Sequence, residues 1–354
     1  MTSPNTTDPT RGLAMLSTAL GPSIAAMLEA PDTIEVIANP DGRLWLEQVG
    51  RGRVPTPHRL EAAETERVIR LVATLTGAEA NRDRPIVSAE LPPRGERFEG
   101  VLPPVARGPC FAIRKPASRV FTLDEYVALG IASPEQGEEL RRAVRTRANI
   151  IVAGGTGSGK TTLANALLHE IARLGERVVI LEDTRELQCA ADDVVALRTQ
   201  QGSVSLSDLV RSTLRLRPDR IIVGEVRGGE VADMVQAMTT GHEGSLSTCH
   251  ANRAGDALRR LEMMLLLGGV DLPLAAAREQ LVAAIDLVVA VARRPDGSRR
   301  VVAVDEVVDP GAAAGTFVGA TRPLVGRSGL AALPTRPVRG VGAPPPDPRW
   351  VVAA

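Results

Sequence analysis

The sequence predicts a two-domain α/β protein: a smaller N-terminal α+β domain, a larger domain on a parallel sheet, and a disordered C-terminal tail. Three observations carry this. From residue 148 the chain alternates short, continuously apolar strands with helical segments, the pattern of a parallel sheet covered on both faces. Before that point, strands bounded by turn signals are mixed with amphipathic helices. After residue 310, Gly, Pro, Ala and Arg follow one another without periodicity. These changes of texture divide the chain into a first domain at 12–131, a linker helix at 132–147, a second domain at 148–310 and a tail at 311–354.

Residues 1–11 are polar and read as loose. "LAMLSTALGPSIAAMLEA" (13–30) has helical apolar spacing, interrupted at Gly21-Pro22. "TIEVIAN" and "RLWLEQV" flank Asn39-Pro40-Asp41-Gly42, a β-hairpin signature. "RLEAAETERVIRLVATLTG" (59–77) is an amphipathic helix with a glycine C-cap. Short strands follow near "IVSAEL", "RFEGVLP" and "CFAIRK", then helices in "TLDEYVALG" and "SPEQGEELRRAVRT". The second domain opens with strand "ANIIVAG", a Gly-rich turn and helix "KTTLANALLHEIARLG". Strands "RVVILED", "DVVALR", "RIIVGE" and "GSLSTCH" alternate with helices "SLSDLVRSTLRL" and "GGEVADMVQAM". Helices near 254–267 and 273–284 and strands at 285–292 and 299–308 complete it.

Composition narrows the function classes. The chain has 354 residues, 44% hydrophobic and 24% charged, with 42 basic and 42 acidic residues, so no global charge draws it to nucleic acid or anionic lipid. No apolar run reaches the ~18 residues of a membrane span, and "MTSPNTTDPT" lacks the pattern of a signal peptide. Cys110, Cys189 and Cys249 are scattered and odd in number, which fits a reducing cytoplasm. Only two of the 42 basic residues are lysines, Lys115 and Lys160. In such an arginine-rich chain, lysine is expected where a compact ammonium is required.

Lys160 lies in "GGTGSGKTT", which matches G-x-x-x-x-G-K-[ST] between an apolar strand and a helix. Gly154, Gly155, Thr156, Gly157, Ser158, Gly159, Lys160, Thr161 and Thr162 are thus the candidate nucleotide-binding residues. Glycines let backbone N–H groups wrap phosphate oxygens, and the helix N-terminus adds partial positive charge. Lys160 is expected at the β- and γ-phosphates, and the Thr161 hydroxyl in a Mg²⁺ shell. Hydrolysis also needs carboxylates, and two apolar strands end in them, at Glu182-Asp183 and at Glu225. Glu182 and Glu225 are catalytic candidates and Thr161, Asp183 and Glu225 metal candidates; spacing does not assign which acid orients water.

A guanine-reading Asn-Lys-x-Asp is excluded, because neither lysine lies in one. All seven aromatic residues fall outside 148–310, which argues against gripping single strands by base stacking. It also leaves no aromatic for the adenine face within that domain. Phe121 or Tyr126, just before the boundary, is the expected source, with the nucleotide held between the domains.

"GGTGSGKTT", "ILEDTREL", "RPDRIIVGEVRGGE" and "TGHEGSLSTCHAN" occur here in the order of the Walker A, Asp box, Walker B and His box of the type II/type IV secretion ATPase superfamily, which the chain resembles. "EVIANPDGRLWLE" and "VLPPVARGPCFAIRKP" are most similar to the P-type conjugative-transfer ATPases, the TrbB group. The resemblance spans roughly residues 13–308. It implies a RecA-like P-loop NTPase domain and a homohexameric ATPase, cytoplasmic and peripheral at the inner-membrane face. ATP and Mg²⁺ are its implied cofactors. Its implied work is to power conjugative transfer, type IV secretion and pilus assembly with channel proteins as partners, without direct sequence-specific contact to nucleic acid. It further implies that His250 acts in catalysis, and that Arg97 and Arg114 close over the γ-phosphate. Lys115, beside Arg114, then falls in a phosphate-facing segment.

Three rival readings stand beside this one: a type II secretion or pilus-assembly ATPase, a RecA-like nucleic-acid-dependent ATPase, and a ring-forming factor that scarcely hydrolyses ATP. For His242, Cys249 and His250 a zinc site is the competing idea, but their spacing matches no zinc motif. His250, at the end of an apolar strand, reads as a γ-phosphate sensor, whereas His242 is divided between that role and structure.

Overall fold

The computed structural model describes residues 9–116, 119–200, 202–269, 272–294, 296–308, 321–326 and 329–330. It divides into two compact units, Met1–Ser118 and Arg119–Ala354.

In the first unit, α1 (Pro9–Glu29) bends at Gly21, whose φ of +72° is non-helical, with Pro22 following. Then come β1 (Thr33–Ala38), β2 (Arg43–Gln48) and β3 (Gly52–Arg59). α2 (Ala62–Thr76) begins where Glu64 accepts the Glu61 N–H at 2.8 Å and ends at Gly77, left-handed at φ +70°. β4 (Ile86–Leu91), β5 (Glu96–Val101) and β6 (Cys110–Arg114) complete a six-stranded antiparallel sheet, order β3-β2-β1-β6-β5-β4. Val36, Phe98 and Ile113 share its core with Ile24 of α1 and Val68, Ile69 and Val72 of α2. β3 was not expected, since Pro55 and Pro57 read as breakers. It lies at the sheet edge, where a missing ladder donor is tolerated.

By length and composition Arg11–Glu29 is apolar enough to cross a membrane, a property hidden in the sequence by the polar residues and the Gly21-Pro22 break. Its Leu16, Ile24 and Leu28 are buried in the core of the first unit.

The second unit begins with α3 (Leu123–Ala128) and α4 (Pro134–Arg145), each opened by a capping box, Thr122 with Glu125 and Ser133 with Gln136. Leu123, Tyr126, Leu140, Ala143 and Val144 share a core with the helix after the glycine-rich turn. The structure divides at Ser118/Arg119 where the sequence reading had residue 131, and the helix read as a linker packs within the second unit. The apolar face of α4 is satisfied by packing within the second unit.

Next come β7 (Ile150–Gly154), α5 (Lys160–Ala172), β8 (Val178–Glu182), β9 (Val194–Arg198), α6 (Leu206–Thr213) and β10 (Arg220–Val223). α7 (Glu230–Thr239), β11 (Leu246–Cys249), α8 (Ala254–Leu267), α9 (Leu274–Ala284), β12 (Leu287–Arg293) and β13 (Arg299–Val307) follow. β14 (Thr321–Gly326) and β15 (Gly329–Leu330) extend the sheet, whose order is β15-β14-β13-β12-β7-β11-β10-β8-β9. From β12 through β9 all neighbours are parallel; β13, β14 and β15 are antiparallel.

Strand alternation assigns the two faces. Ile151 and Ala153 of β7 enter one core with α6–α9, whereas Ile150 and Val152 enter the other with α3–α5. β14 falls within the segment read as tail. Its Leu324 and Val325 are fully buried, and Arg322 pairs with buried Glu306 at 2.5 Å. Apart from β14 and β15, residues 311–354 lie outside the described residues.

Candidate active site

The candidate site is built at the carboxyl edge of the parallel sheet, where βα loops converge. β7 runs into residues 154–159, and α5 starts at Lys160. Gly154 admits no side chain, because a Cβ there would meet Ser158 Oγ at 2.3 Å and the Val291 carbonyl at 2.7 Å. Gly157 (φ +70°) and Gly159 (φ +100°) hold left-handed conformations that a side chain would strain. Ser158 Oγ is buried without a hydrogen-bond partner. Such an orphan hydroxyl, in a glycine-rich turn at the N-terminus of α5, suits an anionic ligand.

Lys160 is 9% exposed, and its Nζ donates to the Gly155 carbonyl at 3.3 Å. Both ring nitrogens of His250 lie 3.4 Å from it. Burial lowers the Lys160 pKa, while Glu225 opposes that shift. His250 Nε2 is 2.8 Å from Glu225 Oε1, an ion-pair distance, and Oε1 is buried and accepts no hydrogen bond. Burial also lowers the His250 pKa, again against the opposing pull of Glu225. Lys160, Glu225 and His250 thus meet, brought together by α5, β10 and β11.

The other acids take separate places. Glu182 Oε1 accepts the backbone N–H groups of Glu186 and Leu187 at 2.8 and 2.9 Å, so this buried carboxylate folds the Asp-box loop. Gly224 makes room for it, since a Cβ there would stand 2.9 Å from Glu182 Cγ. Asp183 accepts the Thr199 hydroxyl at 3.0 Å and lines a cleft of about 640 Å³ with Thr199, Ser203, Arg227 and Glu230. Thr161 does not pair with Asp183; its hydroxyl donates to Glu186 at 3.1 Å.

Two residues missed in the sequence therefore belong to the constellation. Glu186 holds Thr161, and Arg227 donates its Nε to Glu225 at 2.8 Å, with Nη2 on the same oxygen. "EDTREL" and "EVRGGE" signalled charge there, but only the fold says which charges face the loop.

His242 and His250 stand at opposite edges of the sheet. β11, roughly 13 Å long at strand rise, runs between them, and no group of three or more potential metal-binding side chains occurs among the described residues. The His242 carbonyl accepts the Ser245 hydroxyl at 2.8 Å. The Gly244 carbonyl accepts from buried Arg220, itself paired with Glu176 at 2.5 Å. A Cβ on Gly244 would lie 2.1 Å from Arg220 Nη1, so the first half of the His box is shaped by packing. Cys249 is fully buried, and burial pushes its thiol up to about 11.

In the first unit, Arg97 of β5 and Arg114 of β6 are direct cross-strand partners, flanked in the same row by Glu90 and Glu35. The Lys115 ammonium donates to the Ala30 carbonyl at 2.8 Å, just past the C-terminus of α1. Tyr126 is 4% exposed, so its ring offers no face to a ligand.

Residues 35–316 match the model of the Type II/IV secretion system protein family. The probable conjugal transfer protein TrbB of Sinorhizobium fredii is 46% identical over 286 residues, covering 80% of this chain and 86% of that protein. The type IV secretion system protein VirB11 of Bartonella quintana is 31% identical over 322 residues, covering 78% and 89%. The crystal structure of the Legionella pneumophila ATPase DotB superposes with a TM-score of 0.56 at 19% identity, covering 84% of this chain and 81% of that one, a likeness of fold. Four ordered motifs, a site built from them and relatives matched over most of their length lead to one conclusion: the chain belongs to the Type II/IV secretion system protein family.

Proposed function

We propose that the protein is a Mg²⁺-dependent ATP hydrolase, working as a homohexamer at the cytoplasmic face of the inner membrane to power conjugative transfer or type IV secretion and pilus assembly. The observation that carries the chemistry is the meeting of Lys160, His250 and Glu225 at the end of the phosphate loop, with Glu225 Oε1 beside His250 and accepting no hydrogen bond. A buried carboxylate oxygen that accepts no hydrogen bond is suited to orient an attacking water. The biological setting is supported by the similarity to conjugal transfer proteins.

The residues present fit a nucleotide and its metal. Residues 154–162 would hold the phosphates, and Thr161 with Glu186 or Glu225 would hold Mg²⁺, which binds through one or two carboxylates plus substrate phosphates. Asp183 is the weaker metal candidate because Thr199 and the open cleft claim its carboxylate. Mg²⁺ bound there supplies neutralisation of charge developing on the transferred phosphoryl group. Arg97 and Arg114 are proposed to supply further positive charge at the γ-phosphate.

Phosphate release from ATP by the purified full chain tests this reading. Glu225→Gln is expected to lower turnover at least about 100-fold while ATP still binds. Lys160→Ala is expected to abolish turnover, and Lys160→Arg to fail as well, since the buried seat suits a compact ammonium. Turnover near wild type in Glu225→Gln would remove Glu225 from the chemistry.

A further inference from the structure

The sheet order sets the direction in which a nucleotide would lie across the phosphate loop. Glu225 and His250 follow β10 and β11, on one side of β7, and β12 and β13 are on the other. Phosphates seated with the terminal group toward Glu225 and His250 direct the nucleoside toward the β12–β13 hairpin.

That hairpin presents Arg293 and Arg299, direct partners across the ladder, a pairing in which like charges repel. Arg299 lies against the outer wall of the loop. Its Nε donates to the Gly157 carbonyl at 3.3 Å, and its Cδ is 2.9 Å from the place a Cβ on Gly159 would take. A Cβ on Gly157 would stand 3.9 Å from Arg293 Nη1. The Arg299 side chain is exposed, and among the described residues the Gly157 carbonyl is its one hydrogen-bond acceptor.

A purine needs a flat partner, and the second unit has few. No aromatic residue occurs in 148–310, and Tyr126 is enclosed in the core. Phe121 is half-buried, with the Arg119 guanidinium already 4.9 Å from its ring centre. A guanidinium is itself planar, permanently charged and able to stack on aromatic faces.

We propose that Arg299 seats the base of the bound nucleotide, laying its guanidinium on the purine where an aromatic side chain would otherwise serve. This rests on the reading of the phosphate loop as a nucleotide site. Arg299 is a binding residue in this account; it positions the nucleoside and touches none of the transferring atoms.

The test compares ADP with inorganic tripolyphosphate, which occupies the loop but has no base, by titration calorimetry on the full chain. Arg299→Ala is expected to weaken ADP about 5- to 30-fold, the size of a desolvated cation–π contact, and to leave tripolyphosphate affinity within about two-fold. Arg299→Lys, which keeps the charge without the plane, is expected to recover only part of the loss. An equal loss for both ligands would make Arg299 a brace of the loop and overturn the proposal. Unchanged ADP affinity, or full recovery with lysine, would overturn it as well. In Lys160→Ala both ligands are expected to weaken together. If wild-type protein bound neither ligand, the nucleotide reading itself would fall, and the seat for the base with it.

Discussion

At the scale of single residues, the two histidines of "TGHEGSLSTCHAN" separate by position. His250 faces Lys160 and Glu225, whereas His242 lies across the sheet beside the Arg220 anchor. His250→Ala is therefore expected to leave ADP affinity within a few-fold and the thermal transition nearly unchanged. Hydrolysis should fall by about 10- to 1,000-fold, the range of one lost transition-state hydrogen bond or proton-transfer group. His242→Ala is expected to lower the unfolding temperature with little loss of turnover per folded molecule. Reversal of that pattern would transfer the catalytic part to His242. The phosphate loop was legible because its spacing is a consequence of backbone geometry. Glu186 and Arg227 were not, because a carboxylate or guanidinium on a loop has no period to reveal its facing. The rarity of Lys115 gave it no role in the sequence; its ammonium serves a carbonyl beyond a helix end.

At the scale of elements, continuous apolar runs identified β7, β8 and β10 because a strand buried on both faces has no polar side to show. β3 and β14 escaped because each carries proline, and because residues flanking β14 have the composition of a linker. β14 nevertheless inserts Leu324 and Val325 into the core that holds α4 and α5. Leu324→Ala is expected to destabilise the second unit by about 2–5 kcal/mol, read from urea unfolding. A change below about 0.5 kcal/mol would show that β14 contributes little. β11 carries a second test. Its Cys249 is held as a thiol, burial pushing its pKa up to about 11 from the ordinary 9.0. The folded state thus keeps a proton that the unfolded chain releases first, so this group's stabilising contribution is full below pH 9 and is lost as pH rises toward 11. Native protein at pH 8 is expected to leave Cys249 unlabelled by a thiol reagent, with labelling after unfolding; rapid native labelling would contradict its burial.

At the scale of the whole molecule, the first unit contributes a sheet whose charged row runs Glu35, Arg114, Arg97, Glu90 across neighbouring strands. Two arginines side by side in that row are costly in isolation and become favourable beside an anion. The sequence indicated these positions only through family resemblance, since an arginine at a strand end has no pattern of its own. If the pair serves a transferring phosphoryl group, its effect belongs to the transition state more than to the bound product. Arg97→Ala and Arg114→Ala are then expected to lower kcat by about 10²-fold or more, with ADP affinity changed far less. Because such groups act where charge develops, the double variant should lose less than the product of the two single losses. Equal losses in kcat and ADP affinity would make them binding or folding residues. Sedimentation with nucleotide bears on the same proposal at the level of assembly: a hexamer is expected, and a monomer at every concentration would count against a ring-forming motor.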